Sequence, residues 1–384
     1  MIGVAIVGTG AIAGVHVDAY QQFPDRCEIR ALSDITSAKA ERLAKEKNLE
    51  SAKVYADFRA TIDRPEIDLV SICVPPSVHA EIAVYALNAG KHVLVEKPMA
   101  SSLEQCDAML AAAERTGRRL SVVAQNRFKT PMVRMKRILE DRRAGRIFHV
   151  TVNSYWWRGQ SYYDLWWRGT WQQEVGGCTI NHAVHHADLL LWMMGLPEKV
   201  IAYFANLNHL NSETEDFSTA VLVYPNGFVA QLTASLVHHG EEQEMVFQAE
   251  KARISIPWKI CASTELDNGF PQQDAETERI LQELYESIPP CRHDGHAGQV
   301  ENVLTSIAFG DDLVVDGLAG RRTVELIMGI YKAAQSGSAV SLPLSKRDPF
   351  YRTETMLPLM PRFHRKTRSR DDFDTSTITL GRQV

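Results

Sequence analysis

The sequence contains no closely spaced cysteine pair, no apolar run long enough to cross a membrane, no surplus of basic charge and no internal repeat. Each absence excludes a class of function. The six cysteines (Cys27, Cys73, Cys106, Cys178, Cys261 and Cys291) are scattered, so no Cys-x-x-Cys motif suggests zinc or dithiol chemistry, and reduced packing residues are expected. A spanning helix needs about 18 consecutive apolar residues, and none occur, so no membrane partner is expected. A net charge of −5 offers nucleic acid no electrostatic footprint. Met1 leads directly into an apolar stretch without a basic, apolar leader, which predicts a cytoplasmic protein. Heptads and low-complexity tracts are missing too, which argues against coiled coils and solenoids.

What remains is a chain of 384 residues, 45% hydrophobic and 23% charged, the composition of a globular protein and a length that suits two domains. Up to about residue 125 the pattern alternates strand and helix: Glu28–Asp34 strand, Ala38–Lys47 helix, Leu69–Val74 strand, Ala80–Ala89 helix, Lys91–Val95 strand, Leu103–Arg115 helix and Leu120–Ala124 strand. Such alternation predicts a doubly wound parallel sheet. After a helix over Pro131–Arg143 come strand patterns at Phe148–Trp157, Val200–Asn208, Phe217–Tyr224, Phe228–His238 and Glu244–Ile256, and a helix at Val324–Ala334. The fold class is therefore α/β: an N-terminal Rossmann domain over residues 1–125, then an α+β domain with a large, mostly antiparallel open sheet over 126–345. Residues 346–384 form a tail, disordered or draped over a neighbouring subunit.

The stretch from Ile2 to His16 organises the first domain. An apolar run enters a turn at Gly8 and Gly10 and leaves as a helix through Ala11, Ile12 and Ala13. Gly8 permits the sharp turn, Gly10 lets a pyrophosphate approach the backbone, and the helix N-terminus offers free N–H groups to the phosphates. The next strand ends on Asp34, at the spacing of the carboxylate that accepts ribose hydroxyls; a helix-capping Asp is the alternative. Loops at the strand ends add Pro75, His79, Glu96, Lys97 and Asn126 to one polar rim, expected to line a cofactor crevice.

Lys97, followed by Pro98, sits at a strand end where its ammonium could stabilise an alkoxide or hold a carbonyl oxygen; a solvated charge is the plainer reading. Between Val175 and Gly195 a single helix is expected, with Asn181, His185 and Asp188 on one face. His185 suits a proton shuttle. His182 and His186, four apart, could ligate zinc but lack a third ligand, so packing is favoured and no metal is expected. Five of the seven tryptophans gather near residues 155–171. Trp157, Tyr163, Trp167 and Arg168, with Arg127 and Asn181, suit a carbohydrate, although an aromatic core or subunit interface would use the same residues.

These residues resemble the glucose-fructose oxidoreductase, inositol dehydrogenase and MocA family of NAD(P)-dependent sugar and polyol oxidoreductases. The likeness runs over about residues 2–344 and rests on Gly8-x-Gly10-x-x-Ala13-x-x-His16, Pro75-Pro76-Ser77-Val78-His79, Ala89-Gly90-Lys91-His92 leading to Glu96-Lys97-Pro98, Trp167-Arg168-Gly169-Thr170-Trp171, Gly176-Gly177 through Asn181, His185 and Asp188, and Asp316-Gly317 with Gly320-Arg321-Arg322. It implies NAD as cofactor, with Lys97 and His185 matching the catalytic lysine and histidine. Asn181 stands where several polyol dehydrogenases have Asp, so it is expected to bind a substrate hydroxyl rather than relay protons. Pro76 replaces a common Asn. The expected function is oxidation of a secondary hydroxyl of a sugar, glycoside or cyclic polyol; keto-sugar reduction and a non-enzymatic sensor are the alternatives. An open sheet with one uncovered face predicts a homodimer or homotetramer.

Overall fold

In the first strand, β1 (Ile2–Val7), the consecutive residues Val4, Ala5 and Ile6 are fully buried, the mark of a strand covered on both faces. The computed structural model describes residues 1–371 and 373. Here β1 is joined by β2 (Cys27–Ser33), β3 (Lys53–Tyr55), β4 (Leu69–Ile72), β5 (His92–Val95) and β6 (Leu120–Val122) in a parallel sheet of order β3-β2-β1-β4-β5-β6. Helices α1 (Ala11–Tyr20), α2 (Ser37–Glu46), α3 (Phe58–Ile62), α4 (His79–Asn88) and α5 (Leu103–Thr116) make the crossovers. Local signals set their ends: Ser102 accepts the Gln105 N–H at the start of α5, and Gly117, at φ 64°, closes it in the left-handed conformation. Strand order reverses between β1 and β4, so the ligand crevice opens at their carboxyl ends.

After α6 (Thr130–Asp141) the chain builds a second sheet from β7 (Ile147–Tyr155), β8 (Lys199–Ala205), β9 (Phe217–Val223), β10 (Val229–Ser235), β11 (Gln243–Ala249), β12 (Ala252–Ile256), β13 (Lys259–Glu265), β14 (Pro271–Gln273) and β15 (Val340–Ser341). Their order is β14-β13-β12-β11-β7-β10-β9-β8-β15, and β7 with β10 is the parallel pair in an otherwise antiparallel sheet. One face packs on helices; on the other, Ile201 and Tyr203 of β8 are exposed.

Several expectations change. Residues 244–256 are two strands, β11 and β12, paired as a hairpin. The single helix expected over 175–195 is broken into α7 (Cys178–Asn181) and α8 (Val184–Met194). The break has a cause. Glu215 accepts the Gly177 and Thr179 N–H groups at 3.0 and 3.1 Å, fixing the first turn, while the Asn181 carbonyl receives the Lys97 ammonium at 3.0 Å. Asp188 stays beside His185 on α8, separated by the break from Asn181, and binds Arg127 through two bonds of 2.8 and 2.7 Å, both side chains buried. Arg127, expected at the substrate, is spent inside the protein.

Residues 257–316, unread in the sequence, supply β13, β14, α9 (Ala275–Ser287) and α10 (Gly295–Phe309). Helix α10 returns to the first sheet, where Ala297, Val300, Val303 and Leu304 join Val4, Ile6, Ala13 and Val17 in one core. The next helix, α11 (Gly317–Ser336), packs on β8 and α8.

As far as it is described, the tail packs on its own chain, contrary to the expectation of disorder. Phe350, Tyr351, Met356 and Met360 are buried, each worth about 1.5–3 kcal/mol of apolar transfer for a large side chain. The Trp171 indole N–H donates to the Pro361 carbonyl at 2.8 Å, and Arg368 pairs with Asp164 at 3.0 Å. Residues 372 and 374–384 lie outside the described residues.

Asp188→Ala would strand the Arg127 guanidinium in the interior. A loss of about 3–5 kcal/mol is expected in urea unfolding, largely recovered by the double change Arg127→Met with Asp188→Leu, since replacing a buried pair entirely is close to neutral.

Candidate active site

The glycine turn between β1 and α1 is the first half of the site. Gly8 has φ +89°, and a Cβ there would meet the Cys73 carbonyl group at 2.7 Å. Gly10 is different: it caps α1 with an ordinary φ of −69°, and a Cβ would have nothing within 4 Å. The protein does not need that glycine, which leaves the space before the helix N-terminus for a phosphate-bearing ligand. Ala11 and Ile12 form the open lip of the helix, while Ala13 is buried against the sheet. Asp34 is held over the turn: its carboxylate accepts the Thr9 N–H and hydroxyl, each at 2.9 Å, and the Thr36 N–H at 2.9 Å.

The second half forms where β5 ends. Glu96 is buried, with one oxygen 2.9 Å from His16 Nε2 and the other accepting the Lys97 N–H at 3.1 Å. Lys97 reaches across to the Asn181 carbonyl. Burial pulls the Lys97 ammonium below its usual range, and Glu96 opposes the shift. His185, on the first turn of α8, is pushed well below the ordinary imidazole range by burial and then by Lys97 and His186. It is therefore neutral and ready to accept a proton. Lys97, His185, Asn126, Asp188 and Thr323 border a cavity of ≈ 20 Å³, room for one water behind the site and far too small for a sugar.

Beyond them stands an aromatic wall. The Arg168 guanidinium lies 4.1 Å from the Tyr162 ring centre and 4.2 Å from that of Trp167, and it pairs with Glu174 at 2.8 Å. Arg158 pairs with Glu241 beside Trp156 and Tyr162. His182 packs between Trp156 and Tyr162, its Nε2 3.3 Å from the Tyr162 hydroxyl, and so forms part of the wall. Ser77 donates to Gln173 at 3.2 Å, tying the first-sheet rim to this segment.

Family models now match this arrangement. One described as an oxidoreductase family with an NAD-binding Rossmann fold covers residues 2–124, and one described as a GFO/IDH/MocA C-terminal domain covers residues 132–255. The chain belongs to the GFO/IDH/MocA family. A 1-carboxy-3-chloro-3,4-dihydroxycyclohexa-1,5-diene dehydrogenase of Comamonas testosteroni is 33% identical over 202 residues, 51% of this chain and 49% of that protein. D-glucoside 3-dehydrogenase of Escherichia coli is 24% identical over 358 residues, 88% of this chain and 97% of that protein. The matches span about half to two thirds of the length of the first such relatives. Among solved structures, the WlbA dehydrogenase of Bordetella pertussis, crystallised with NADH and UDP-GlcNAcA, superposes with TM-score 0.77 at 28% identity, covering 90% of this chain and 98% of that one.

Lys97, His185 and Asn126 border one cavity and Lys97 binds the Asn181 carbonyl, while other candidate residues are placed differently from expectation. The Asn181 amide donates to the Gly176 and Gly177 carbonyls at 3.0 and 3.2 Å, so its nitrogen holds the glycine turn and only its oxygen is left for a hydroxyl. His79 is buried with its ring nitrogens 2.8 Å from the Pro98 and Val74 carbonyls, stapling two loops; Pro75 keeps its place on the rim. Glu96 is likewise committed within the protein. Tyr163 is buried behind the wall, edge-on to His209 at 4.9 Å, and Trp157 stacks outside on His239 at 5.2 Å. His296, at the start of α10 beside Glu96, escaped sequence reading; Asp294 before the apolar spacing of Ala297, Val300 and Leu304 was the available signal.

Gly10→Ala separates folding from cofactor binding. The melting temperature is expected to stay at the wild-type value while NADH affinity, followed by fluorescence titration, falls at least tenfold.

Proposed function

We propose that this chain is an NAD-dependent dehydrogenase that oxidises a secondary hydroxyl of a sugar, glycoside or cyclic polyol to a ketone. The observation that carries the reading is the meeting of a half-buried cation, Lys97, and a neutral imidazole, His185, at the carboxyl end of β5 beside the glycine turn. Gly8, Gly10, Ala11 and Ile12 would hold the pyrophosphate and Asp34 the adenosine ribose. Bound NAD supplies the hydride acceptor. His185 takes the hydroxyl proton while the Lys97 ammonium stabilises the alkoxide oxygen, and the Asn181 carbonyl fixes the direction of Lys97. Arg168 and Arg158 are already paired with Glu174 and Glu241, which favours a hydroxyl-rich, uncharged face over a phosphate or uronate at the wall. Activities named for relatives, on glucosides and on inositol, support the substrate class.

A panel of sugars, glycosides and inositols assayed with NAD tests the reading; no hydroxyl-dependent NADH formation would overturn it. On the substrate so found, Lys97→Met and His185→Ala should each lower kcat by roughly a hundredfold or more with NADH binding unchanged, the usual size of electrostatic and general-base contributions. Because burial lowers both groups, the acid limb of the kcat profile should fall below pH 6.5 and the alkaline limb below pH 10.5.

Asp34 would repel a 2′-phosphate, and Ile35 and Thr36 offer no cation in exchange, so NAD should outperform NADP. Asp34→Ala should narrow that preference. We also propose a cytoplasmic homodimer or homotetramer built on the uncovered sheet face around Ile201 and Tyr203; a monomer mass by light scattering would refute the assembly.

A further inference from the structure

One cluster next to the site takes no part in the chemistry above: His16 on α1, Glu96 at the end of β5 and His296 in the first turn of α10. Their nitrogen and oxygen ligand atoms all lie within 4.8 Å of one another. Two imidazoles and a carboxylate make a zinc donor set. Here, however, the carboxylate already has a partner: burial opposes protonation of His16, but Cys73 and Glu96 beside it outweigh burial and raise it to about 10, and His16 Nε2 lies 2.9 Å from Glu96. The opposite His16 nitrogen is fixed 2.8 Å from the Ser71 hydroxyl.

His296 completes the cluster, its ring centre 5.6 Å from that of His16. Its Nε2 is buried, has no hydrogen-bond partner among the described residues, and lies 3.8 Å from the Glu96 oxygen that His16 holds. The second Glu96 oxygen is bound to the Lys97 N–H. Three groups therefore bracket one carboxylate directly beneath Lys97. The other charges near Lys97 are Arg168 and Glu174; His185 is faced by Lys97, His186, Glu96 and His296, and His79 also adjoins Glu96.

We propose that His296 is a positioning residue of the active centre: with His16 it flanks one Glu96 oxygen, so that the carboxylate that is the counter-charge of the Lys97 ammonium stays beside it. Without His296 that oxygen is held by His16 alone, the carboxylate loses a polar neighbour, and the field at Lys97 weakens. The role builds on the catalytic reading of Lys97, but its test needs no turnover, so either can fail alone.

The full chain, labelled with [ε-13C]lysine and saturated with NAD, is titrated by NMR, with Lys97→Met assigning the resonance. His296→Ala should move the Lys97 midpoint down by about 0.5–1 pH unit, the ordinary size of an environmental shift in a folded protein. Glu96→Gln should move it further in the same direction, and His296→Gln, which keeps an N–H donor, should restore it. If His296→Ala does not fold, His296→Leu keeps the bulk without the nitrogen and carries the same expectation. An unmoved midpoint in the folded variant, or a shift that His296→Gln fails to reverse, would overturn the proposal and leave His296 a packing residue.

Discussion

A lysine ammonium partly withdrawn from water needs an acceptor and a counter-charge, and Lys97 finds them on separate parts of the chain. The acceptor is the Asn181 carbonyl, carried by a helix of the second half; the counter-charge is Glu96, its own neighbour on β5. Leaving such a charge unpaired would be expensive, so the bond from Lys97 to Asn181 ties the two halves together at the point where chemistry is proposed. The broken helix, the glycine turn held by Asn181 and the Glu215 carboxylate beneath that turn all serve this contact.

The two sides of the cleft are built on different physical grounds. On the cofactor side the backbone is arranged to leave space, as the open surroundings of Gly10 illustrate. On the wall side, space is filled: the Arg168 guanidinium is clamped between Tyr162 and Trp167, and the Glu174 carboxylate that pairs with it is almost wholly buried. Rigid aromatic and ionic packing of this kind presents a fixed surface to a ligand, the condition for positioning a hydroxyl within reach of a base. The described part of the tail strengthens the same wall from behind through Pro361 and Arg368.

Local patterns carried much of this. The parallel sheet was legible because buried strands read as unbroken apolar runs between amphipathic helices, and Gly8, Gly10 and Asp34 because a tight turn and a strand-end carboxylate leave their marks within about thirty residues. Where sequence reading failed, distant partners had decided. Arg127 and Asp188 are 61 positions apart and claim each other. The 175–195 helix has continuous apolar spacing, yet Glu215 and Lys97 bind its backbone and divide it.

By itself, the sequence determined the elements of the parallel sheet, the nucleotide turn and the candidacy of Lys97 and His185, since each depends on propensity, spacing or residue chemistry. Only the tertiary structure decided which polar side chains remain available to a ligand. His79, Tyr163, Arg127 and Glu96 all look functional in sequence, and all are satisfied or buried within the protein. The reason is physical: a buried polar group must find a partner, and that partner is fixed by the meeting of remote segments, on which local pattern is silent. His296 is the converse case, a residue without local distinction that α10 carries back across the first sheet to the side of Glu96.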